Sequence, residues 1–89
     1  MKAIRKSKKF DKDVKLAHKR GKQIAKLAHV IDLLRKAEDL PARCRPHKLT
    51  GEYTGYWECH IDPDWLLVYE VYPDEIHLTR LGTHSDLFD

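Results

Sequence analysis

Three histidines between positions 47 and 84 are the residues whose type and spacing best suit chemistry. His47, His60 and His84 each fall at the edge of a predicted strand, and Asp64 follows His60 by four positions. Imidazole exchanges protons near neutral pH, and strands can bring residues that are distant in sequence to one face of a sheet. Several imidazoles beside a carboxylate in a small basic protein suggest acid–base chemistry on a phosphodiester.

Attack of a ribose 2′-hydroxyl on the adjacent phosphate sets the requirements for such a site. A base must remove the hydroxyl proton, an acid must protonate the departing 5′-oxygen, and positive charge or donors must surround the phosphate. Two imidazoles, one neutral and one protonated, meet the first two needs. Our hypothesis makes His47 the general base and His84 the general acid, with His60 and Asp64 orienting and stabilising them; the alternative is that Asp64 itself acts as the base or the acid.

The charges are divided unevenly between the two halves of the chain. Residues 1–48 contain 16 Lys or Arg and 5 Asp or Glu, a net +11, whereas residues 49–89 contain one Arg and 9 Asp or Glu, a net −8. A surplus of this size steers polyanions, which favours an RNA partner, and it also suits an acidic protein partner. Arg80 is the one cation of the second half and our candidate for holding the phosphate. The lysines could instead form only a solvated helix face.

Length and composition narrow the class of protein. Eighty-nine residues predict one domain, residues 1–89. No apolar run approaches the roughly 18 residues that span a bilayer, and the start of the chain lacks the apolar stretch of a signal peptide. Cys44 and Cys59 are therefore expected as free thiols in a reducing compartment. These features predict a cytoplasmic protein that does not act on a membrane.

The periodicity of apolar residues predicts the helices and strands that carry the candidate residues. We predict a strand over 2–6, a helix that begins after the N-cap Ser7 and ends near Gly21, and a second helix over about 22–38. A loop over 39–51 follows, and then three strands over 53–61, 65–72 and 75–81. Within the first of these strands, alternation puts Tyr56, Glu58 and His60 on one face and Trp57, Cys59 and Ile61 on the other. The pattern predicts an α+β fold, a small antiparallel sheet with an N-terminal helical hairpin packed on one face.

The order and spacing of several segments resemble the RelE superfamily of type II toxins, and within it the YafQ branch of ribosome-dependent mRNA interferases. The resemblance covers nearly all 89 residues. The segments that carry it are Phe10-Asp11-Lys12-Asp13-Val14-Lys15, His47-Lys48-Leu49-Thr50-Gly51, Gly55-Tyr56-Trp57-Glu58-Cys59-His60-Ile61, Pro63-Asp64-Trp65-Leu66-Leu67-Val68-Tyr69 and Arg80-Leu81-Gly82-Thr83-His84-Ser85-Asp86-Leu87-Phe88.

This resemblance implies a function and a set of residues. The family fold is a small antiparallel sheet flanked by a helical hairpin. The implied activity is cleavage of mRNA in the ribosomal A site by 2′-hydroxyl attack, with no metal or other cofactor, and a cognate antitoxin neutralises the toxin by wrapping it. The implied catalytic residues are His47, His60, Asp64 and His84. Phe88 is implied as an accessory aromatic, and Glu58 stands at a position where the branch has an aspartate, which suggests contact with substrate.

Two other classes of function remain open at the level of sequence. Cys44, His47, Cys59 and His60 are ligand types that zinc prefers, although adjacent residues of a strand point to opposite faces and would not easily bind one ion. The second alternative is a non-catalytic RNA-binding or regulatory module of the same fold.

Several residues also have plainer interpretations. Arg80 could pair with Glu58 or Glu70 on the surface. We expect His18 and His29 to be structural or exposed, and His77 matches no motif.

Overall fold

A computed structural model describes residues 1–88 as a five-stranded sheet with three helices. The elements are β1 (Ala3–Lys6), α1 (Lys8–Lys19), α2 (Ile24–Arg35), β2 (His47–Lys48), β3 (Trp57–Asp62), β4 (Trp65–Val71), β5 (Glu75–Gly82) and α3 (His84–Phe88). The strands lie in the order β1-β5-β4-β3-β2. The predicted α+β class is confirmed. Within the described residues, every helix is too short or too polar to cross a membrane.

The helical hairpin begins and turns where its sequence predicts. The Ser7 hydroxyl oxygen accepts the backbone N–H of Phe10 at 2.9 Å, which is an N-cap at the start of α1. At the other end, Gly21 has a φ of +76°. The N–H groups of Gly21 and Lys22 donate to the carbonyls of His18 and Ala17, which is the Schellman arrangement. Glycine suits that left-handed position because it has no Cβ.

The sheet is mixed, so the prediction of an antiparallel sheet is wrong for one strand. β3, β4 and β5 form the predicted antiparallel meander, but β1 runs parallel to β5. A parallel pair needs a long crossover, which the helical hairpin and the rest of the chain supply. The Ser7 N–H and hydroxyl donate to the carbonyls of Leu78 and Thr79 and fix β1 in this direction. No tight turn joins β1 to β5, so local sequence carries no signal for their relative direction.

The main core lies between the helical hairpin and one face of the sheet, as predicted. Phe10 and Ala17 of α1 and Leu27, Val30 and Leu34 of α2 are buried there. The strands contribute Cys59, Ile61, Trp65, Leu67, Tyr69, Ile76, Leu78 and Leu81. β4 is the central strand, and its residues 65–69 are buried on both faces. The opposite face has a smaller cluster in which Leu87 of α3 packs on Leu66 and Val68.

Two elements that position candidate residues are absent from the sequence-based prediction. β2 lies inside the predicted loop, and it pairs His47 with Glu58 of β3. α3 follows β5 directly and begins at His84. β3 also begins at Trp57, because residues 51–53 form a 3-10 turn and Gly55 has a φ of +98°. A two-residue strand and a five-residue helix are too short to give a periodic pattern.

Candidate active site

An open groove of about 520 Å³ brings together most of the candidate residues. His47 comes from β2, Glu58 and His60 from β3, and His84 from the first turn of α3. Glu58 and His60 alternate along β3 with the core residues Cys59 and Ile61, so their side chains lie on the predicted face. Arg45 and Pro46 complete the lining. Tertiary structure thus assembles three imidazoles and one carboxylate from segments far apart in sequence.

Backbone carbonyls fix the tautomers of two of these imidazoles. Nδ1 of His47 lies 2.8 Å from the Arg45 carbonyl oxygen, and Nδ1 of His60 lies 3.2 Å from the Pro63 carbonyl oxygen. A carbonyl oxygen only accepts hydrogen bonds, so both Nδ1 atoms carry hydrogen. Proton exchange with a ligand therefore falls to Nε2 in both rings.

Nδ1 of His84 is also bound to an acceptor, which here is a carboxylate. Asp64 Oδ1 accepts the backbone N–H of His84 at 3.0 Å and its Nδ1–H at 2.7 Å. These two hydrogen bonds, the backbone one foremost, lower the pKa of the Asp64 carboxyl. An ionised carboxylate at Nδ1–H suits an imidazolium, which presents a second N–H at Nε2. Both side chains are more than half exposed, so the pair positions His84 more than it stabilises the fold.

His47 faces a different environment from the other two rings. Its Nε2 lies 3.3 Å from Oε1 of Glu58, a carboxyl that is only 4% exposed. Because Nδ1 already donates to a carbonyl, both ring nitrogens point at acceptors, and the contact requires a proton on Nε2 or on Glu58. Both ring nitrogens of His47 are therefore in contact with protein groups, and the base role that the sequence-based hypothesis gave it stays a prediction.

His60 and His84 are close enough to act on one ligand. Their ring centroids lie 6.1 Å apart, with an angle of 59° between the planes. Each ring has its Nδ1 occupied and its Nε2 without a partner among the described residues. The pair can therefore provide one basic and one acidic nitrogen to the same small group.

Arg80 occupies a different place from the one expected. Its Nε and Nη2 donate to the two carboxylate oxygens of Asp13 at 2.8 and 3.2 Å, and this hydrogen-bonded pair raises the pKa of Arg80. Asp13 Oδ2 also accepts the backbone N–H of Leu81. The predicted pairing with Glu58 or Glu70 is wrong, since the partner lies on α1. Arg80 does not line the groove, and its role toward phosphate stays a prediction that this pairing disfavours.

Phe88 lies beside the site at the end of α3. Its side chain is 39% exposed, and its ring stands edge-on to Tyr53 at 5.4 Å between centroids. The His84 ring lies 6.4 Å away on the other side. Tyr53 is therefore a packing partner of Phe88. An accessory role toward substrate stays a prediction, and this position is compatible with it.

The cysteines lie on the wrong side of the sheet for the zinc alternative. Cys44 and Cys59 are both free and buried in the core that faces the helices, whereas His60 points to the groove, as the alternation predicted. Burial raises the pKa of the Cys59 thiol to about 12, which disfavours a thiolate ligand. Within residues 1–88, no cluster of three or more His, Cys, Asp or Glu side chains is arranged to hold a metal.

Arg45 is a site residue that sequence reasoning did not single out. It lines the groove, and its carbonyl orients His47. Its φ of +47° is left-handed, an unusual conformation for a residue with a side chain. The available signal was its position two residues before a candidate histidine, next to Pro46. His77, in contrast, lies away from the groove and bonds Glu75 at 2.6 Å.

Comparison with known proteins places the chain in a family. A family model described as the bacterial toxin of type II toxin-antitoxin systems, YafQ, matches residues 2–89. The chain belongs to the YafQ toxin family. It is 41% identical over 80 residues to the mRNA interferase toxin YafQ of Escherichia coli K12, covering 89% of this chain and 87% of that one.

Solved structures of YafQ have the same fold. The crystal structure of YafQ from E. coli BL21(DE3) superposes with a TM-score of 0.95 at 38% identity and covers all of both chains. The toxin in the E. coli DinJ-YafQ toxin-antitoxin complex superposes with a TM-score of 0.91 at 39% identity, over 99% of this chain and 98% of that one.

Proposed function

We propose that this YafQ-family toxin is a ribosome-dependent mRNA endoribonuclease that cleaves by 2′-hydroxyl attack. The observation that supports this most directly is the shared arrangement of His47, His60 and His84. All three line one open groove and have Nδ1 bound to an acceptor, which leaves Nε2 of His60 and of His84 to serve the ligand. The E. coli relative is named an mRNA interferase, which agrees with this chemistry.

The hydrogen bonds support a division of roles between His60 and His84. Neutral His60, with Nδ1–H donated to a carbonyl, has its lone pair at Nε2 and takes the 2′-hydroxyl proton. The 2′-oxygen attacks phosphorus, the bond from phosphorus to the 5′-oxygen breaks, and protonated His84 gives its Nε2 proton to that oxygen. Asp64 stabilises the imidazolium before transfer. The products are a 2′,3′-cyclic phosphate and a 5′-hydroxyl.

Arg45 supplies positive charge in this scheme, and His47 lies beside it. The Arg45 guanidinium donates to the phosphate oxygens as negative charge develops there, and the His47 ring, held between the Arg45 carbonyl and Glu58, keeps the Arg45 segment in position. Glu58 is buried beside His47. In this scheme it acts through His47, whereas the resemblance suggested direct contact with substrate. Phe88 beside His84 provides an aromatic face for a base.

The charge of the protein and the complexes of its relatives suggest two kinds of partner. The exposed lysines of α1 suit ribosomal RNA, which brings the groove to mRNA in the A site. E. coli YafQ is found in complex with the antitoxin DinJ, and we propose that a cognate acidic antitoxin binds this chain in the cytoplasm.

Mapping the cut sites and end groups of mRNA tests this proposal. Purified protein is added to ribosomes programmed with a defined mRNA, and in parallel to the same mRNA without ribosomes. We expect cuts at in-frame positions with 2′,3′-cyclic phosphate and 5′-hydroxyl ends, and much slower cleavage of free mRNA. Ends with 3′-hydroxyl and 5′-phosphate would contradict the mechanism, and equal cleavage of free mRNA would contradict the ribosome dependence. Binding without any cut would favour the non-catalytic RNA-binding module.

A further inference from the structure

A second, larger cavity of about 660 Å³ adjoins the proposed catalytic groove. It lies between α2, the 3-10 turn at Ala42–Cys44 and the end of β3. Two residues, Arg45 and His60, line both cavities, so a ligand can pass from one to the other without leaving the surface. The function proposed above uses only the groove.

The walls of this cavity combine apolar surface with positive charge. Ala25, Val30, Ile61 and Pro63 provide an apolar wall. Arg43 and Arg45 are exposed at the rim and make no salt bridge within residues 1–88, whereas Lys26 is paired with Asp62 at 2.8 Å.

His29 on α2 adds an imidazole ring to the same walls. The sequence-based expectation made His29 merely structural or exposed. It is exposed, and it faces this cavity.

This combination fits one ligand class, a nucleotide. A flat base fits an apolar cleft of this volume, and an imidazole can stack on its face as aromatic rings do. The unpaired guanidinium of Arg43 suits the phosphate that links this nucleotide to the next one along the mRNA, while Arg45 lies between the two cavities. Continuity through His60 and Arg45 places that nucleotide next to the phosphate that is cut.

We propose that the cavity is the subsite for the mRNA nucleotide next to the scissile phosphate, an inference that rests on the proposed nuclease function. Contacts made there add affinity and select the neighbouring base, while the groove performs the chemistry. Preference at the cut site then depends partly on α2 and Arg43, which do not touch the reacting atoms.

Variants that alter the cavity without touching the groove test this subsite. Ala25 is an exposed α2 residue on its wall, so Ala25→Trp fills the space with little cost to folding. Ala28→Trp is the matched control, since Ala28 is also exposed on α2 but does not line the cavity. Arg43→Gln removes a rim charge, with Arg35→Gln as its control at the end of α2. Circular dichroism and thermal unfolding verify that each variant folds.

The readout is cleavage of a ribosome-bound mRNA library in which the nucleotides on each side of the cut are varied. We expect Ala25→Trp and Arg43→Gln to change the base preference on one side and to lower cleavage of the preferred sequence about tenfold, the size typical of one base contact. Both control variants should match the wild type.

Two results would contradict the proposed subsite without contradicting the proposed nuclease function. One is an unchanged rate and base preference in both cavity variants. The other is a uniform loss across all sequences, which would mean that the cavity binds ribosomal RNA or protein instead. Absence of cleavage by the wild-type protein would instead overturn the nuclease proposal, and the subsite with it.

Discussion

The hydrogen bonds at Nδ1 of the site histidines decide which proton transfers each ring can make. His60 donates to a neutral carbonyl and His84 to the carboxylate of Asp64, so the two rings differ in the charge of the group at Nδ1. His47 lies between a carbonyl and the buried Glu58. At the residue scale, the proposed base role of His60 and acid role of His84 rest on this difference between their Nδ1 partners.

Removing His84 should abolish most of the chemistry and leave the fold intact. His84→Ala takes away the proposed acid, and loss of one general acid typically lowers a rate about 10²- to 10⁴-fold. The cleavage assay on programmed ribosomes measures this loss, and cells that express the variant should grow. His47→Ala should also rescue growth.

The matched control for these variants is His77→Ala, which removes a histidine outside the groove and should leave the protein toxic. Both His84→Ala and His47→Ala should still bind the antitoxin, since their side chains lie on the surface. If both remain fully toxic, the groove is not the catalytic site.

At the scale of elements, the short helix α3 positions His84 and Phe88. The Thr83 hydroxyl oxygen accepts the N–H of Asp86, and Asp86 Oδ2 accepts the N–H of Thr83, a reciprocal capping box. Arg20 at the end of α1 bonds the same carboxylate at 2.7 Å. Gly82 is required where β5 meets this helix, because a Cβ there would lie 2.9 Å from Cβ of Asp86.

The capping carboxylate gives the protein a defined acid sensitivity. The Arg20 hydrogen bond, followed by that of Thr83, lowers the pKa of Asp86 from 3.8 to about 2. Its ionised form therefore stabilises the native state above pH 3.8, and this contribution is lost as the pH falls through about 2. The difference in unfolding free energy between wild type and Asp86→Asn should be largest near neutral pH and shrink toward pH 2.

Urea unfolding followed over this pH range measures that difference. Asp74→Asn is the control, because Asp74 is an exposed acid in the turn before β5. A gap between wild type and Asp86→Asn that stays constant with pH would show that the ionised carboxylate is not what secures α3.

The end of α2 carries strain that a substitution can release. Ala37 has a φ of +55°, and the N–H groups of Ala37 and Glu38 donate to the carbonyls of Leu34 and Leu33. This is the arrangement that favours glycine. Ala37→Gly should raise the free energy of unfolding by about 1 kcal/mol, as measured by urea denaturation. Ala28→Gly, in the exposed interior of α2, should lower it by about the same amount. Equal effects of both changes would contradict this assignment.

At the scale of the whole molecule, much of the positive charge of residues 1–48 lies on the exposed surface of α1. The lysines of α1 are exposed and make no salt bridge within the described residues; they are Lys8, Lys9, Lys12, Lys15 and Lys19. The acidic second half supplies β3 and α3 with Glu58, His60 and His84, while Arg45 and His47 come from the end of the basic half. The hairpin can therefore contact a polyanion while the groove works on another part of it.

Neutralising lysines on α1 should weaken binding to ribosomes and change its dependence on salt. Lys12→Gln with Lys15→Gln should reduce the slope of log affinity against log salt by about 2, since each phosphate contact contributes about one. The control pair is Lys2→Gln with Lys36→Gln, because these two lysines lie at the C-terminal end of α2 and not on α1. Equal slopes for both pairs and the wild type would show that α1 is only a solvated face.

Sequence alone determined those features that depend on neighbours within a few positions. The cap at Ser7, the turn at Gly21, the alternation along β3 and the buried β4 follow from local hydrogen bonds and periodicity. The family segments also carried the site histidines, because motifs are local. The spacing of Thr83 and Asp86 is also a local signal for a helix start, but the sequence-based prediction did not include α3.

Only the tertiary structure decided which distant groups meet. The parallel direction of β1, the pairing of Arg80 with Asp13, the burial of Glu58 under His47 and the cavity beside α2 all join segments far apart in the chain. Each depends on how whole elements pack, and residue type alone does not specify a partner. The histidines could therefore be named from sequence, but the fold decided which groups each ring meets: a carbonyl at Nδ1 of His47 and His60, the Asp64 carboxylate at Nδ1 of His84, and Glu58 at Nε2 of His47.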